Sequence, residues 1–417
     1  MECKRVILQI FTGGYMEEPP SYERLRSLLE PLLCNMNVEK LIMGWSTKVE
    51  LYQNVIRLAK RYGVEVYLWL PVLSETGLLK PIGRLIDDEG NEVQTFGLKN
   101  GENFEFYCPN QKRNAAGFLD IYDEIFSDIP FDGVFLDKIR YCSFSNGKSG
   151  VFSCFCPECQ KAYAAAGISQ EELLVQMKRV RAGDGDYQGS PLGIKSYQAG
   201  KYRFANPIWE EFFAYKQRCV YEFLKPISKT FRDKGLKIGM DTFSPFTAYF
   251  AGQDIAALSE LADFIKPMMY RLTGAPAGMP WECERLLRET LTKPFPEVLS
   301  RIPGMENAGG MPFDLEFVKS EIEQLSAVGV PLYPGIEINR IEPIARTTPE
   351  YIRETVNALS QTAIQGFTLS WDLMSAPPDN LEEAARLFGR RGINDGMRNE
   401  HFFGMSNFIP LFFAQNP

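Results

Sequence analysis

The sequence predicts a (β/α)8 barrel, an α/β fold of TIM-barrel type, with two loop insertions at the C-terminal ends of its strands. Short runs rich in Val, Ile, Leu and aromatic residues alternate with longer stretches whose apolar residues recur three and four positions apart. Eight such runs occur, the number that closes a barrel, with an open doubly wound sheet as the alternative. The two stretches that break this rhythm both follow strand ends, on the face where barrels build their binding walls.

Arg5–Thr12 is the first extended run, and Ser21–Leu33 follows it with helical spacing. Val38–Trp45 and the helical stretch Val49–Tyr62 form the second unit. Val64–Pro71 is the third run. Behind it Leu73–Phe106, rich in Gly, Asp, Glu and Asn, reads as a hairpin-bearing loop leading to a helix over Asn114–Phe126. Gly133–Asp137 is the fourth run, and the insertion Ser143–Ala205 separates it from a long helix, Trp209–Phe231. Lys237–Thr242, Phe264–Tyr270, Leu332–Ile338 and Gly366–Trp371 complete the strands, with helices over Thr348–Gln361 and Asn380–Phe388. Gly63, Gly235 and Gly329 stand just before the third, fifth and seventh runs, where a left-handed glycine can close the preceding helix. Residues 1–389 therefore read as one barrel. The tail 390–417 carries the apolar stretch Phe408–Ala414, expected to cap the barrel or a second copy in a homo-oligomer.

The chain has 417 residues, 45% apolar and 24% charged, the balance of a globular protein with a large core. A net charge of −8 without a basic run leaves no electrostatic footprint for nucleic acid or an anionic membrane. No stretch reaches the roughly 20 apolar residues of a membrane span, and Met1–Gly13 lacks a cleavage site, so a cytoplasmic location is expected. The single histidine, His401, excludes Ser-His-Asp and Cys-His catalysis and His-rich metal hydrolases as the basis of the chemistry. Carboxylates, lysine, tyrosine or a thiol must carry it.

Cys154-Phe-Cys156-Pro-Glu-Cys159 places three thiols too close for unstrained disulfides but well for a tetrahedral metal. Cys108, in the turn Tyr107-Cys-Pro-Asn110, is the candidate fourth ligand and Cys142 the runner-up. Four thiolates close the coordination shell, so the expectation is a structural zinc that pins two loops together, with no organic cofactor. Together with Tyr107-Cys108-Pro109-Asn110, the Cys154-Phe-Cys-Pro-Glu-Cys-Gln160 run resembles the zinc cysteines of glycoside hydrolase family 42 and of related hypothetical glycosyl hydrolases. A second stretch, Phe131-Asp-Gly-Val-Phe-Leu-Asp-Lys-Ile-Arg-Tyr141, is similar to the fourth strand of several such families. These resemblances cover Tyr107–Gln160 and imply zinc on Cys108, Cys154, Cys156 and Cys159, with a carbohydrate as substrate. Family 42 ends its fourth strand with Asn-Glu, whereas this chain reads Leu136-Asp137, so that family's acid/base is not carried over.

Glycoside hydrolysis needs two carboxylic acids facing the scissile bond, and a barrel supplies them from strand ends. Asp137, Asp241 and Glu337 end the fourth, fifth and seventh runs. Gly239 and Gly335 precede Asp241 and Glu337 by two positions, a pattern that suits inward-facing places in a crowded interior. Asp137 and Glu337 are taken as the working pair, with Asp137 the acid and Glu337 the nucleophile or base, the reverse assignment also being open. Asp241 is the next candidate. Trp45, Trp69, Tyr270 and Trp371 fall at strand ends, where their rings could stack on sugars; of Trp371 and Asp372, Trp371 is favoured for the axis. Arg140, Tyr141 and Arg271 are candidate groups for substrate hydroxyls or carboxylates. The rivals are a carbohydrate-binding barrel without activity and a Schiff-base lyase using Lys266, which would require a depressed pKa. Its place before Pro267 favours a structural or outward-facing side chain.

Overall fold

The computed structural model describes residues 4–14, 18–74, 83–97, 104–182, 191–288, 299–310 and 312–390. Eight parallel strands close into a barrel. They are β1 (Arg5–Phe11), β2 (Val38–Gly44), β3 (Glu65–Pro71), β4 (Gly133–Asp137), β5 (Lys237–Phe243), β6 (Phe264–Met268), β7 (Gly335–Glu337) and β8 (Gly366–Ser370). Each pairs with the next, and β8 pairs with β1 in register Arg5↔Gly366 to Leu8↔Leu369. Their central residues are buried on both faces, because helices cover the outside and side chains fill the inside. That is why the runs read as continuous apolar stretches rather than alternating ones.

The covering helices are α1 (Tyr22–Asn35), α2 (Val49–Lys60), α3 (Lys112–Ile125), α4 (Ile208–Asp233), α5 (Ile255–Ser259), α6 (Leu315–Glu323), α7 (Pro349–Leu359) and α8 (Pro378–Phe388). Side chains cap several of them: Ser21, Asp254, Asp314 and Thr348 each accept a backbone N–H of the first turn. The short α5 and α6 carry too few apolar repeats to show as periodic stretches in the sequence. Gly63 and Gly235 lie in the left-handed region, at φ 70° and 79°. Gly329 does not, because α6 ends at Glu323 and unwinds through successive tight turns, Leu325 N–H to Ile322 O and Val328 N–H to Leu325 O. β7 is shorter than its apolar run: Pro331 and Pro334 lack the N–H that would extend the ladder, leaving a lone bridge between Leu332 and Ile265.

The first insertion folds back along the β3 exit through bridges Ser74↔Phe106 and Arg84↔Tyr107, with a further bridge Ile86↔Glu92. The second contains helices Pro157–Ala165 and Gln170–Ala182 and a hairpin, Ile194–Gln198 with Lys201–Phe204. The expected tail, including His401 and Phe408–Ala414, lies beyond residue 390 and outside the described residues. No helix among the described residues is long and apolar enough to cross a membrane.

The inward glycines are required by crowding. A Cβ on Gly239 would stand 2.2 Å from Phe264 Cζ and 2.8 Å from Phe135 Cδ2, and one on Gly335 would stand 2.7 Å from Lys266 Cε. Gly239→Ala therefore overpacks a ring-filled layer and is expected to cost about 1–3 kcal/mol. Equilibrium urea unfolding checks this; an unchanged midpoint would mean that the interior can give way.

Candidate active site and cysteine centre

Asp137 ends β4 half-buried, with both oxygens accepting N–H donors: Trp69 Nε1 to Oδ2 at 2.9 Å and Lys138 N to Oδ1 at 2.5 Å. Trp69 reaches it from β3, where Pro71 pairs with Asp137. Three rings then gather over the mouth from the ends of β1, β2 and β3. Phe11 and Trp45 centroids lie 5.3 Å apart, Phe11 and Trp69 5.9 Å, and Trp45 and Trp69 5.5 Å, all edge to face. Lys138, buried and left-handed at φ 49°, holds its ammonium 4.8 Å over Trp45 and 4.6 Å over Phe104. Phe11 and Lys138 were missing from the sequence-based set. The lysine's position directly after a strand-end aspartate was the available signal.

Asp241 stands beside Asp137. Leu136 pairs with Met240, so the two aspartates are the next residues, level on neighbouring strands. Asp241 is buried, and its Oδ2 accepts from Lys266 Nζ at 2.8 Å, while Oδ1 has no protein partner. Burial lifts its carboxyl to about 7, with the negative neighbour Asp137 adding to the rise and Lys266 and Arg140 opposing it. Lys266 also donates to Tyr270 Oη at 2.9 Å.

Lys266 is thus inward and wholly buried, not outward. Burial pulls its ammonium down, but Asp241 and Tyr270 outweigh that pull and hold it above the ordinary lysine value. An amine kept charged is a poor nucleophile, which weighs against the Schiff-base reading. Lys266→Met leaves Asp241 buried without its cation. Its midpoint should then move above 7, with a stability loss of about 3–5 kcal/mol at pH 8. The loss should shrink at pH 5, where Asp241 is protonated in the folded state. Urea unfolding at the two pH values tests this, and equal losses would show that the pair does not carry the effect.

Glu337 ends β7. It is fully buried, and Oε1 accepts from Leu272 N at 2.8 Å, Thr273 N at 3.1 Å and Thr273 Oγ1 at 3.2 Å. Its Oε2 accepts from Tyr351 Oη at 2.5 Å. Burial pushes its pKa up and these donors pull it back. The side chain ties β7 to the β6 exit and to α7, and both of its oxygens are taken by these donors.

Arg271 faces the same wall, donating to Phe313 O at 2.9 Å and Thr355 Oγ1 at 3.0 Å, with its guanidinium 4.9 Å over Tyr351. Tyr141 is buried under Lys216, whose ammonium lies 4.7 Å from its ring, on the side toward the cysteines. Arg140 is buried, its guanidinium between Phe106 at 4.3 Å and Phe243 at 4.5 Å, and it donates to Tyr141 O. Tyr270 is buried beside Lys266. Trp371 is half-buried, and its Nε1 has no protein partner. Asp372 caps the turn that follows, accepting from Phe11 N, Met374 N and Ser375 Oγ.

Cys108, Cys154, Cys156 and Cys159 are buried with all four sulfurs within 4.8 Å of one another. Cys108 Sγ lies 3.7 Å from Cys156 Sγ and 3.4 Å from Cys159 Sγ. Four sulfurs at about 2.3 Å from a tetrahedral zinc stand about 3.8 Å apart, so the cluster needs little movement to close on such an ion. Asn110 Nδ2 donates to Cys159 Sγ at 3.1 Å and Ile86 N to Cys154 Sγ at 3.4 Å, the kind of outer contacts that orient thiolate ligands. All eight cysteines among the described residues are free thiols. Cys142 is buried outside the cluster, and burial pushes its thiol up to about 12.

No family model matches the sequence, and no curated protein does. Among solved structures, the glycoside hydrolase domain of PgaB (BpsB) from Bordetella bronchiseptica is similar with a TM-score of 0.53 at 15% identity, over 92% of this chain and 98% of that one. A GH20 exo-β-N-acetylglucosaminidase from Vibrio harveyi matches at TM-score 0.45 and 10% identity, over 93% and 54% of the two chains. The spore cortex-lytic enzyme SleL of Bacillus megaterium matches at 0.42 and 11%, over 92% and 75%. The first of these likenesses is one of fold: the closed (β/α)8 barrel.

Proposed function

We propose that the protein is a glycoside hydrolase whose reacting groups are Asp137 and Asp241, with zinc in the four-cysteine centre. The observation that carries this reading is the pair itself: two carboxylates level on adjacent strands, one opening toward aromatic rings at the barrel mouth. The fold shared with a glycoside hydrolase domain supports it, as does the resemblance of the cysteine run to family 42.

The two aspartates divide the work by environment. Lys266 occupies Oδ2 of Asp241, so the proton that burial retains up to about pH 7 sits on Oδ1, the oxygen without a protein partner. Asp241 is the general acid, giving that proton to the glycosidic oxygen. Asp137, oriented by Trp69 and the Lys138 N–H, attacks the anomeric carbon as that bond breaks. This double displacement calls for carboxyl groups roughly 5–5.5 Å apart, against the roughly 6.5–9.5 Å of inverting enzymes. Water, deprotonated by Asp241, then releases the sugar from Asp137 with net retention. Trp45, Trp69, Phe11 and Trp371 pack the pyranose faces. Zinc bound by four cysteines has no open position and serves structure alone. Reduced thiols in such numbers suit the cytoplasm.

Hydrolysis of a broad panel of aryl glycosides and oligosaccharides, with the anomer of the first product read by NMR, tests the proposal. Cleavage with retention that is lost in Asp137→Asn supports it. Sugar binding without cleavage by the wild type would replace it with the carbohydrate-binding barrel, and inversion would exclude Asp137 as nucleophile.

A further inference from the structure

The segment Phe104–Cys108 runs from the mouth to the cysteine centre. Its last residue, Cys108, supplies one of the four clustered sulfurs. Its first, Phe104, faces the Lys138 ammonium at 4.6 Å, and Phe106 faces the Arg140 guanidinium at 4.3 Å. A backbone bond ties the segment to the β3 exit, Tyr107 N–H to Leu73 O at 3.0 Å, and another ties that exit to the β4 exit, Leu73 N–H to Lys138 O at 3.3 Å. Asn146 Nδ2 fastens Phe104 O at 3.0 Å from the second insertion. Lys138 directly follows Asp137 and donates its N–H to that carboxylate. The far face of Arg140 rests on Phe243, two residues beyond Asp241 on β5.

We infer that this strap makes the cysteine centre a positioning device for the two aspartates: metal fixes Cys108, and Phe104 and Phe106 then clamp the cations that seat the β4 and β5 exits. Phe104 and Phe106 are positioning residues that act through Lys138 and Arg140. A cation over an aromatic face is directional and strengthens when desolvated, as both are here, so a displaced ring loosens the seat of its cation even though Trp45 and Phe243 still touch Lys138 and Arg140. The inference rests on the reading of Asp137 and Asp241 as the reacting pair, but its test does not.

Amide hydrogen exchange read by mass spectrometry compares the zinc-loaded protein with the same protein stripped by a chelator. Stripping should speed exchange about tenfold in residues 104–108 and also in 137–141, while α8, on the outside of the barrel, stays protected. In a Phe104→Leu/Phe106→Leu variant, 137–141 should exchange fast from the start, and stripping should add nothing there. The wild-type comparison stands alone if that variant does not fold. Release of 104–108 with 137–141 unmoved would overturn the inference, as would equal loosening of α8 or failure of the reduced protein to take up one zinc per chain. If 137–141 follows zinc but no glycoside is cleaved, the linkage stands and the hydrolase reading falls.

Discussion

Asp241→Asn lowers kcat/KM on the preferred glycoside by about 10²- to 10⁴-fold, the usual contribution of a positioned general acid. Its folded carboxyl titrates at about 7, so the proton is present below that pH and lost above it. Wild-type activity should therefore fall as pH rises through about 7, and the variant should lose this limb. Aryl glycosides with good leaving groups need little protonation and should be partly spared. Asp137→Asn should lose activity whatever the leaving group, because no substrate change replaces a nucleophile. Asparagine at 241 leaves Lys266 buried without its counter-charge, so the double variant Asp241→Asn/Lys266→Met, which removes both charges, separates loss of the acid from loss of fold. An Asp241→Asn protein that keeps both its rate and its alkaline limb would place the acid elsewhere.

Removing the metal has the second large effect expected. Three separate pieces of backbone meet at the four sulfurs: the end of the first insertion, the Cys154–Cys156 turn and the helix carrying Cys159. Four thiolates this close repel one another unless a cation lies between them, whereas structural zinc contributes folding free energy directly. Chelation should release one zinc per chain and lower Tm by on the order of 10 °C, with readdition restoring it. Cys154→Ser should behave like the stripped protein. Cobalt in place of zinc should give the intense charge-transfer bands of tetrahedral thiolate coordination. Protein prepared under reducing conditions that binds no divalent metal, with Tm indifferent to chelator, would return the cysteines to a packed thiol cluster.

The eight strands, most of the barrel helices and the cysteine cluster were legible in the sequence because each is written locally. A strand buried on both faces is a short apolar run, a helix is a three-and-four repeat, and clustered cysteines announce themselves by spacing and turn chemistry. The inward glycines at 239 and 335 were legible for the same reason, through alternation along one strand. Which carboxylate is left with an unpaired oxygen was not local. Glu337 and Asp241 look alike in sequence, but Leu272, Thr273 and Tyr351 converge on Glu337 and use both of its oxygens, whereas Asp241 keeps one oxygen unpaired. Arg271 turned toward Phe313 and Thr355, and Lys266 inward to Asp241, for the same reason. Local periodicity sets what a segment becomes. The partner that satisfies a buried charge comes from wherever closure of the barrel brings a donor within about 3 Å, and only the tertiary structure decides that.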